Sequence, residues 1–498
     1  MLFTSAAFAC VYLPLVWAGF FAVGRYSGRG AAIWLFLASL AFYGYWMPEF
    51  TFLLVGSIVW NYWIGKRIGQ LEPGSGGVRA RRYARRWLIL GIGVNLGLLA
   101  YFKYANFFLA NVNAIFGLHW SLGTVVLPIG ISFFTFTQIA FLADTYQKGT
   151  REYAFPHYGL FVTYFPHLIA GPVLHHAQMM PQFREAATYR VNMGNVTGGL
   201  LIFAMGLAKK VILADGISPY ADAVFNGAQA GAVPDGFEAW VGALAYTFQL
   251  YFDFSGYSDM AVGLSWMFNV KLPYNFDSPY KAVNITEFWR RWHMTLSAFL
   301  RDYLYIPLGG NRRGASRRYV NLMATMVLGG LWHGANWTFV FWGFLHGLYL
   351  GLNHAFQALS RRARWPVEHR LFRLGGWLVT FLAVVVAWVF FRAADFSSAW
   401  TILRSLIEFR SLEVDATHPL FWNQGLDAQR GLVWLAVLAG MAFLLPNSNR
   451  LGERALALVR HDAVARPLLL GCALLLAGFV VLINTARDTV SAFIYFNF

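Results

Sequence analysis

The sequence predicts an all-α polytopic integral membrane protein. Of its 498 residues, 58% are hydrophobic and only 12% are charged, whereas soluble domains carry about 25% charged residues. Apolar runs of roughly 17–25 residues recur from end to end, the length that crosses a ~30 Å hydrocarbon layer as a helix. The basic residues cluster in short segments between these runs, as the positive-inside rule expects. Lipid is therefore the expected solvent for most of the chain.

The net charge of +16 follows these short segments. In a soluble protein such an excess would suggest nucleic-acid binding, but here no nucleic-acid partner is expected. Cys10 and Cys472 both lie in apolar runs, a placement that predicts neither a disulfide framework nor a thiolate metal site. No HExxH, GxSxG, Walker GxxxxGK or paired CxxC motif occurs in the sequence, and we expect no metal centre.

The charges of the first segments set the topology. The N-terminal apolar run lacks a basic n-region, so it is predicted to be a retained first span. Segment 66–86 carries seven basic residues against one acid, Glu72, which assigns it to the cytoplasm. Counting back through spans at 50–65 and 31–47 places the N-terminus on the periplasmic side.

The next part of the chain is less regular. A span at 87–102 leads into residues 101–120, which are more polar and are predicted to lie along the membrane interface. Residues 122–143 then return to the inside. Prolines and histidines interrupt the apolar stretch 155–175, which predicts a broken or re-entrant segment, tolerated where protein or a wet cavity covers it. The path of residues 155–195 is left open.

The second half contains an uncharged pair of spans. Residues 319–360 include no Asp, Glu, Lys or Arg and are flanked by basic segments, which predicts one up-and-down pair with its bend near "LWHGANW". The remaining spans are predicted at 196–213, 238–252, 374–391, 431–446 and 467–485. The expected total is about eleven crossings in a single transmembrane domain, 1–498.

One costly segment interrupts this apolar background, "NITEFWRRWHMTLSAFLRDYLYIPLGG". Asn284 followed by Glu287 is a capping-box pattern, so a helix is predicted to begin at about Ile285 and to end at Pro307. At 100° per residue, a continuous helix gathers its polar side chains on one face, with the tryptophans opposite. The members of that polar stripe are Arg290, His293, Ser297 and Arg301.

Two interpretations of the stripe remain open. An interfacial helix would hold its tryptophans at headgroup depth and let its arginines reach lipid phosphates. Alternatively, the stripe lines a water-filled cavity, since charged groups at membrane depth usually mark substrate paths.

His333 is the second unusual residue, because it lies in the uncharged stretch 319–360. A lone histidine there is often a satisfied core residue. However, Gly329, Gly330 and Gly334 surround it and permit close backbone approach, and the charge pattern places a bend there. Imidazole is also the side chain best suited to take a proton from a hydroxyl near neutral pH.

Asp253 and Asp259 resemble an acid pair, but their spacing of six residues places them on opposite faces of a helix. They are therefore predicted to anchor helix ends or to pair with cations.

Three segments together carry a family likeness: "YFDFSGYSDMAVG", "ITEFWRRWHMTLSAFLRDYLYIPLGGNRRG" and "LGGLWHGANWTFVFWGFLHG". They resemble the signature series of the membrane-bound O-acyltransferase (MBOAT) family, and most closely its bacterial branch that contains the alginate O-acetyltransferase membrane subunit. The signature core is 245–350, with N-terminal spans in 1–145 and C-terminal spans in 370–498.

The resemblance implies a ring of tilted helices, with re-entrant or interfacial helices, around a central tunnel. It implies that His333 and His293 are the two tunnel histidines of the family. Alginate-type members pass acetyl groups from a cytoplasmic thioester, acetyl-CoA, to hydroxyls of a secreted polysaccharide, with no bound cofactor. They lie in the bacterial inner membrane and work with a periplasmic acetyltransferase of the SGNH-hydrolase type.

By this resemblance His333 is the general base, while His293 or a neighbouring donor steadies the oxyanion. The arginines attract the donor's phosphates or pair with acids of the tunnel wall. The candidate substrate-binding or tunnel-lining residues are Arg290, Arg291, Arg301, Asn336, Asp253 and Asp259.

Other functions stay open at this point. The signature segments do not separate alginate-like acetylation from acylation of peptidoglycan or cellulose, or from D-alanylation of teichoic acid. A transporter or channel gated by intramembrane histidines is the alternative from another class.

Overall fold

The computed structural model describes residues 2–71, 77–152, 154–169, 171–312, 314–408, 413–414, 417–461, 465–486 and 493–494. All regular secondary structure in these ranges is helical, as α, π or 3₁₀ turns. The described residues divide into two compact units. Unit 1 contains the residues up to Leu207, Tyr257–Tyr274 and those from Ser448 onward, and unit 2 contains Ala208–Gly256 and Asn275–Asn447. That 1–498 act as one domain stays a prediction.

The α-helices are numbered in chain order. The first ten are α1 Leu13–Gly24, α2 Gly28–Trp46, α3 Pro48–Gln70, α4 Val78–Leu99, α5 Ala105–Phe116, α6 Ile131–Lys148, α7 Phe155–Thr163, α8 Phe165–Leu168, α9 His176–Met179 and α10 Met193–Ala208. The others are α11 Asp215–Gln229, α12 Gly236–Met267, α13 Ile285–Arg291, α14 Met294–Leu300, α15 Ala315–His333, α16 Trp337–Ala363, α17 Arg370–Arg392, α18 Phe396–Glu408, α19 Pro419–Trp422, α20 Ala428–Phe443, α21 Ser448–His461 and α22 Ala465–Thr485.

Several of these helices can cross a membrane, as expected of a multi-pass protein. By length and apolarity four helical stretches of the described chain qualify, or up to five if α20 and α21 count as one broken span; the four are Val78–Phe116, Met193–Gln229, Arg370–Arg392 and Arg466–Thr485. The total of eleven crossings therefore stays a prediction.

Helix α6 illustrates why apolarity alone does not identify the spans. It carries Thr135, Gln138 and Asp144, yet its side chains from Ile131 to Thr145 are all buried within the protein. A helix covered by other helices does not face lipid and can carry polar groups that bond internally, as Gln138 Nε2 does to Ser57 Oγ at 2.9 Å.

The first basic segment differs from its prediction as a loop. Helix α3 continues to Gln70 and α4 already begins at Val78, so the five arginines from Arg79 to Arg86 lie on helical turns. Glu72 lies outside the described residues. The helix that contains the predicted span 87–102 is longer than expected, because a π-helical turn, Ala100–Tyr104, carries α4 into α5 as one continuous helix of 39 residues. The interfacial position of residues 101–120 stays a prediction.

The interrupted segment 155–175 is broken, as predicted. Helix α7 ends at Thr163, and Tyr164 adopts an extended ψ of 108° before the four-residue helix α8. His167 is buried, and its Nε2 lies 3.0 Å from the Phe161 carbonyl oxygen. The backbone polar groups that the break leaves without helical partners thus lie where other parts of the protein cover them.

Helices α15 and α16 form the predicted up-and-down pair. Helix α15 ends at His333 and α16 begins at Trp337, so the bend lies within "LWHGANW". The two helices touch through glycine: a Cβ at Gly330 would lie 2.2 Å from the Phe339 carbonyl oxygen, and one at Gly343 2.3 Å from that of Met326. Small residues let the backbones approach.

Candidate active site

The site lies in unit 2 and starts with helix α13. Asn284 Oδ1 accepts the backbone N–H of Glu287 at 2.9 Å, and Glu287 Oε2 accepts that of Val283 at 3.0 Å. These bonds satisfy N–H groups that a helix start leaves open. The predicted start at Ile285 is confirmed.

The predicted continuous helix, however, is wrong. Helix α13 ends at Arg291, and His293 adopts the left-handed conformation, φ 42° and ψ 54°, before α14 begins at Met294. The Met294 N–H donates to the Asn275 carbonyl oxygen at 2.9 Å instead of to its own helix. Such a conformation costs on the order of 1–3 kcal/mol for a residue with a side chain, and it is concentrated at functional sites.

Because of this break, the predicted polar stripe does not exist. His293 is fully buried, at 0% exposure, and so is Trp292 beside it. Arg290 and Arg301 are both exposed. A rotation of 100° per residue places these residues on one face only if the helix is unbroken, and here it is not.

Hydrogen bonds fix the tautomer of His293. The Thr295 backbone N–H donates to Asn275 Oδ1 at 3.2 Å, so that atom is the acceptor oxygen of the amide. His293 Nδ1 lies 3.0 Å from the same oxygen and must therefore donate to it. In a neutral imidazole only one nitrogen carries a proton, which leaves Nε2 of His293 with a bare lone pair.

The surroundings of His293 keep the ring neutral. The Phe254 ring meets it edge-on at 4.7 Å between centroids, and its Nε2 is buried without a hydrogen-bond partner among the described residues. Burial lowers the pKa of His293 well below its usual range. The side chain is thus a buried, neutral proton acceptor.

His333 terminates α15 in an aromatic enclosure. Its ring packs against Trp342 at 5.1 Å and Phe391 at 5.2 Å, and the side chain is buried. The next residue must be small, because a Cβ at Gly334 would lie 2.1 Å from the Phe339 ring.

Trp332 brings the two histidines into one neighbourhood. Its indole lies 4.9 Å from the His333 ring and 6.4 Å from the His293 ring, between centroids. The two histidines that sequence reasoning selected for catalysis thus both lie beside one side chain within unit 2.

Further unsatisfied polar atoms lie in the same unit. Buried polar groups in native proteins are almost always hydrogen-bonded, so each exception calls for an explanation. A bound substrate or ordered water would satisfy these atoms. Besides His293 Nε2, the buried atoms without a partner in the described part of unit 2 include Asn275 Nδ2, Trp342 Nε1, Tyr246 OH, Ser255 Oγ and His346 Nε2.

The structure gives the candidate cations different surroundings. Arg291 pairs with Glu287, Nη2 to Oε1 at 2.7 Å, and the exposed Arg301 pairs with Asp302 at 2.7 Å. Arg290 is exposed, and its guanidinium has no partner in the described part of the chain. Of the three arginines, Arg290 is therefore the most readily available for an incoming anion.

Asn336 has a structural task. Its Oδ1 accepts the Thr338 N–H at 3.1 Å as the cap of α16, and its Nδ2 donates to the Ala394 carbonyl at 2.7 Å. Both ends of its amide are therefore engaged in holding the bend after His333.

Asp253 pairs with a cation, as one of the sequence-based alternatives predicted. Lys210 Nζ lies 2.7 Å from Asp253 Oδ1 and 2.7 Å from Asp215 Oδ1, and all three side chains are buried. Asp259 is also buried, but it belongs to unit 1.

Sequence reasoning missed His346. It lies on α16 in "FLHG" and is fully buried at 0% exposure. Its Nδ1 accepts the indole N–H of Trp289 at 3.2 Å. The available signal was a second histidine followed by glycine in the same uncharged stretch as His333.

One group of three side chains has the composition of a metal site, namely Asp235, Glu238 and His418. Their own hydrogen bonds account for it: His418 Nδ1 lies 2.8 Å from Asp235 Oδ2, and its Nε2 lies 3.1 Å from the Glu413 carbonyl oxygen. Both ring nitrogens of His418 thus already have hydrogen-bonding partners within the protein.

The fold and the site together define a helical membrane protein with buried imidazoles beside buried polar atoms that have no partner among the described residues. The MBOAT family model, membrane-bound O-acyltransferase, matches residues 147–393, which include both histidines.

Individual relatives agree with that match. Over its whole length the chain is 39% identical to a peptidoglycan O-acetyltransferase of Helicobacter pylori, with 98% of that protein covered. Over 82% of its length it is 44% identical to the probable alginate O-acetylase AlgI of Pseudomonas aeruginosa, with 75% covered. A teichoic acid D-alanyltransferase of Bacillus subtilis is 26% identical over 53% of the chain. The chain belongs to the membrane-bound O-acyltransferase family and is an acyltransferase.

Proposed function

We propose that this protein transfers acetyl groups from acetyl-CoA on the cytoplasmic side to hydroxyl groups of a secreted, alginate-like polysaccharide, directly or through a periplasmic partner. The observation that carries the proposal is the pair of buried imidazoles that both lie beside Trp332, in a chain similar to O-acetyltransferases of envelope polymers. The protein resides in the bacterial inner membrane with its N-terminus in the periplasm.

The chemistry is a direct acyl transfer. The acceptor hydroxyl oxygen attacks the thioester carbonyl carbon while His333 removes the hydroxyl proton as general base. The tetrahedral intermediate then collapses, the carbon–sulfur bond breaks, and the thiol leaves with a proton returned from the imidazolium. An ester and free coenzyme A result, and no acyl-enzyme forms on this chain.

His293 takes a different part from the one its motif suggested. A neutral ring with a bare Nε2 offers no hydrogen to an oxyanion. It instead accepts a hydrogen bond from a hydroxyl next to the attacking one and so orients the acceptor, while the attacking hydroxyl keeps its single hydrogen for His333. The oxyanion then needs a neighbouring N–H donor. Trp342 Nε1 is such a donor, because it is buried without a partner among the described residues and its ring packs 5.1 Å from His333.

A second acceptor polymer has a specific observation in its favour. The relative that covers the chain from end to end is named a peptidoglycan O-acetyltransferase, while the alginate O-acetylase matches at higher identity over less of the chain. Peptidoglycan is therefore the runner-up acceptor. Teichoic acid D-alanylation is less favoured, since that relative is less similar and matches a shorter part.

The proposal is tested with the purified protein in vesicles. Radiolabelled acetyl-CoA is supplied on one side, and alginate or peptidoglycan fragments, each with and without a periplasmic acetyltransferase, on the other. We expect thioester consumption coupled to ester formation. Solute or proton flux without consumption of acetyl-CoA would instead support the channel alternative and overturn the enzyme assignment.

The tautomer of His293 leads to a pH prediction. In Asn275→Asp, a carboxylate replaces the amide oxygen that accepts the Nδ1 hydrogen. A negative charge stabilises the imidazolium, so the pKa of His293 rises. As the pH falls, the ring is therefore protonated earlier and loses the lone pair on Nε2. The acid limb that His293 contributes to the pH–rate profile is expected to move upward by about one to three units, measured as initial rate from pH 3 to 9. An unmoved limb would show that His293 Nε2 does not accept a hydrogen bond from the substrate.

A further inference from the structure

His346 lies near the end of the third signature segment, on α16, and is neither of the two histidines assigned to catalysis. The indole nitrogen of Trp289 can only donate, so His346 Nδ1 accepts that bond, 3.2 Å long. The neutral ring must then carry its proton on Nε2. This tautomer is the reverse of the one at His293.

The ring of His346 connects the walls of both catalytic histidines. It packs against Trp342 at 4.7 Å, and Trp342 in turn packs on the His333 ring. It also meets Trp289, four residues before His293, at 5.1 Å. Trp289 and Trp342 also touch one another, at 5.8 Å.

A second hydrogen bond joins the same two helices. Two turns farther along α16, Asn353 Nδ2 donates to Thr286 Oγ1 at 2.8 Å, close to the start of α13. Two bonds at separated points fix both the position and the direction of α13 against α16. Helix α16 itself packs closely on α15 at this point, because a Cβ at Gly347, beside His346, would lie 2.6 Å from Met323 Sδ.

We propose that His346 is a positioning residue for the acyl transfer: by accepting from Trp289 it holds helix α13 on α16, and so sets His293 relative to His333. This inference rests on the proposed function. The proposed role uses Nδ1 of His346, not Nε2. The expected effect on rate is large, because a misplacement of reacting groups by about 1 Å can cost about 10²-fold.

Amide substitutions separate the two sides of the ring. In His346→Asn the side-chain oxygen sits near the place of Nδ1 and still accepts from Trp289. In His346→Gln the amide reaches the place of Nε2 and leaves the Trp289 N–H unmatched. We expect His346→Asn to retain kcat within about threefold, and His346→Gln and His346→Leu to lower kcat by about 10–10²-fold with the KM for acetyl-CoA little changed.

The opposite order would overturn the proposal. If His346→Gln is active and His346→Asn is not, then the Nε2 hydrogen acts on the substrate and His346 is catalytic. Equal loss in both variants, with normal yield and thermal stability, would also contradict the Trp289 bond as the cause. His354→Leu is the matched control, because it removes a half-buried imidazole two turns along the same helix.

A double-mutant cycle with Trp289→Phe, which removes the donor N–H and keeps a smaller aromatic ring, provides a second measurement. If the bond carries the effect, Trp289→Phe and His346→Leu lose activity together, and the double variant is no worse than either alone. Additive losses would reject the coupling. The wild-type assay separates the hypotheses: a wild type that never consumes acetyl-CoA contradicts the proposed function, whereas an active wild type with the wrong variant order contradicts only the role of His346.

Discussion

His333→Ala is expected to lower the rate of acetyl transfer by about 10²–10⁴-fold, the usual contribution of a positioned general base. The KM for acetyl-CoA should change little, because the imidazole acts on the hydroxyl and not on the thioester's binding groups. The enclosure by Trp342 and Phe391 excludes bulk water, so no solvent molecule readily replaces the lost base. The measurement is single-turnover transfer from radiolabelled acetyl-CoA in vesicles.

A change of nucleophile distinguishes loss of the base from loss of the fold. Hydroxylamine attacks thioesters without prior deprotonation, so His333→Ala should keep most of its activity with hydroxylamine while it loses activity with a sugar hydroxyl. A variant that fails equally with both acceptors would contradict the base role. His354→Ala on the same helix pair serves as the control and is expected to retain activity with both.

His293 should behave differently from His333 in the same assay. Since its Nε2 is assigned to orienting the acceptor through a hydroxyl next to the attacking one, His293→Ala should raise the apparent KM for the acceptor as well as lower kcat. Residues that act as one unit give non-additive losses, so the double variant His293→Ala, His333→Ala should be little worse than His333→Ala alone.

Local signals in the sequence predicted the parts of the site that local bonds create. The cap at Asn284 needs only Glu287, three residues later, and the structure contains that bond. The bend after His333 needs a small residue and a cap, which Gly334 and Asn336 provide. Such features were predictable because the interacting groups are neighbours in the chain.

The break at His293 could not be predicted in this way. The bonds that hold it come from Asn275, whose carbonyl oxygen and amide oxygen receive the N–H groups of Met294 and Thr295. A periodicity argument assumes that each N–H bonds within its own helix. It therefore predicted an unbroken polar stripe across His293, where the N–H groups of Met294 and Thr295 in fact bond to Asn275.

The same limit applies to His346 and to Lys210. Nothing in "FLHG" indicates that Trp289, 57 residues away, donates to the ring. Asp253 was expected to pair with a cation, but the sequence contains many. Only the folded chain shows that Lys210, 43 residues earlier, is the partner. Composition predicted the class of fold, whereas these partners depend on how distant helices meet.

The buried charge cluster leads to the largest expected effect on stability. Lys210 Nζ lies 2.7 Å from carboxylate oxygens of both Asp215 and Asp253, and the three side chains are only 4%, 7% and 3% exposed. Lys210→Met removes the cation that neutralises two closely spaced carboxylates in a medium of low dielectric constant. Breaking such a buried pair costs about 3–5 kcal/mol. The free energy of unfolding in mixed micelles should fall by that amount.

Two further variants locate the cause of that loss. Arg404→Met breaks an exposed ion pair with Glu408, whose side chains are 69% and 29% exposed, and should cost only about 0–1 kcal/mol because solvent screens it. Lys210→Met combined with Asp215→Leu and Asp253→Leu removes all three charges and should recover most of the stability, since apolar replacements of a buried charge cluster are often neutral. If the triple variant is as unstable as Lys210→Met, the loss arises from packing and not from uncompensated charge. A stable triple variant without transferase activity would instead assign these charges to the acyl-transfer reaction, because stability alone does not require them.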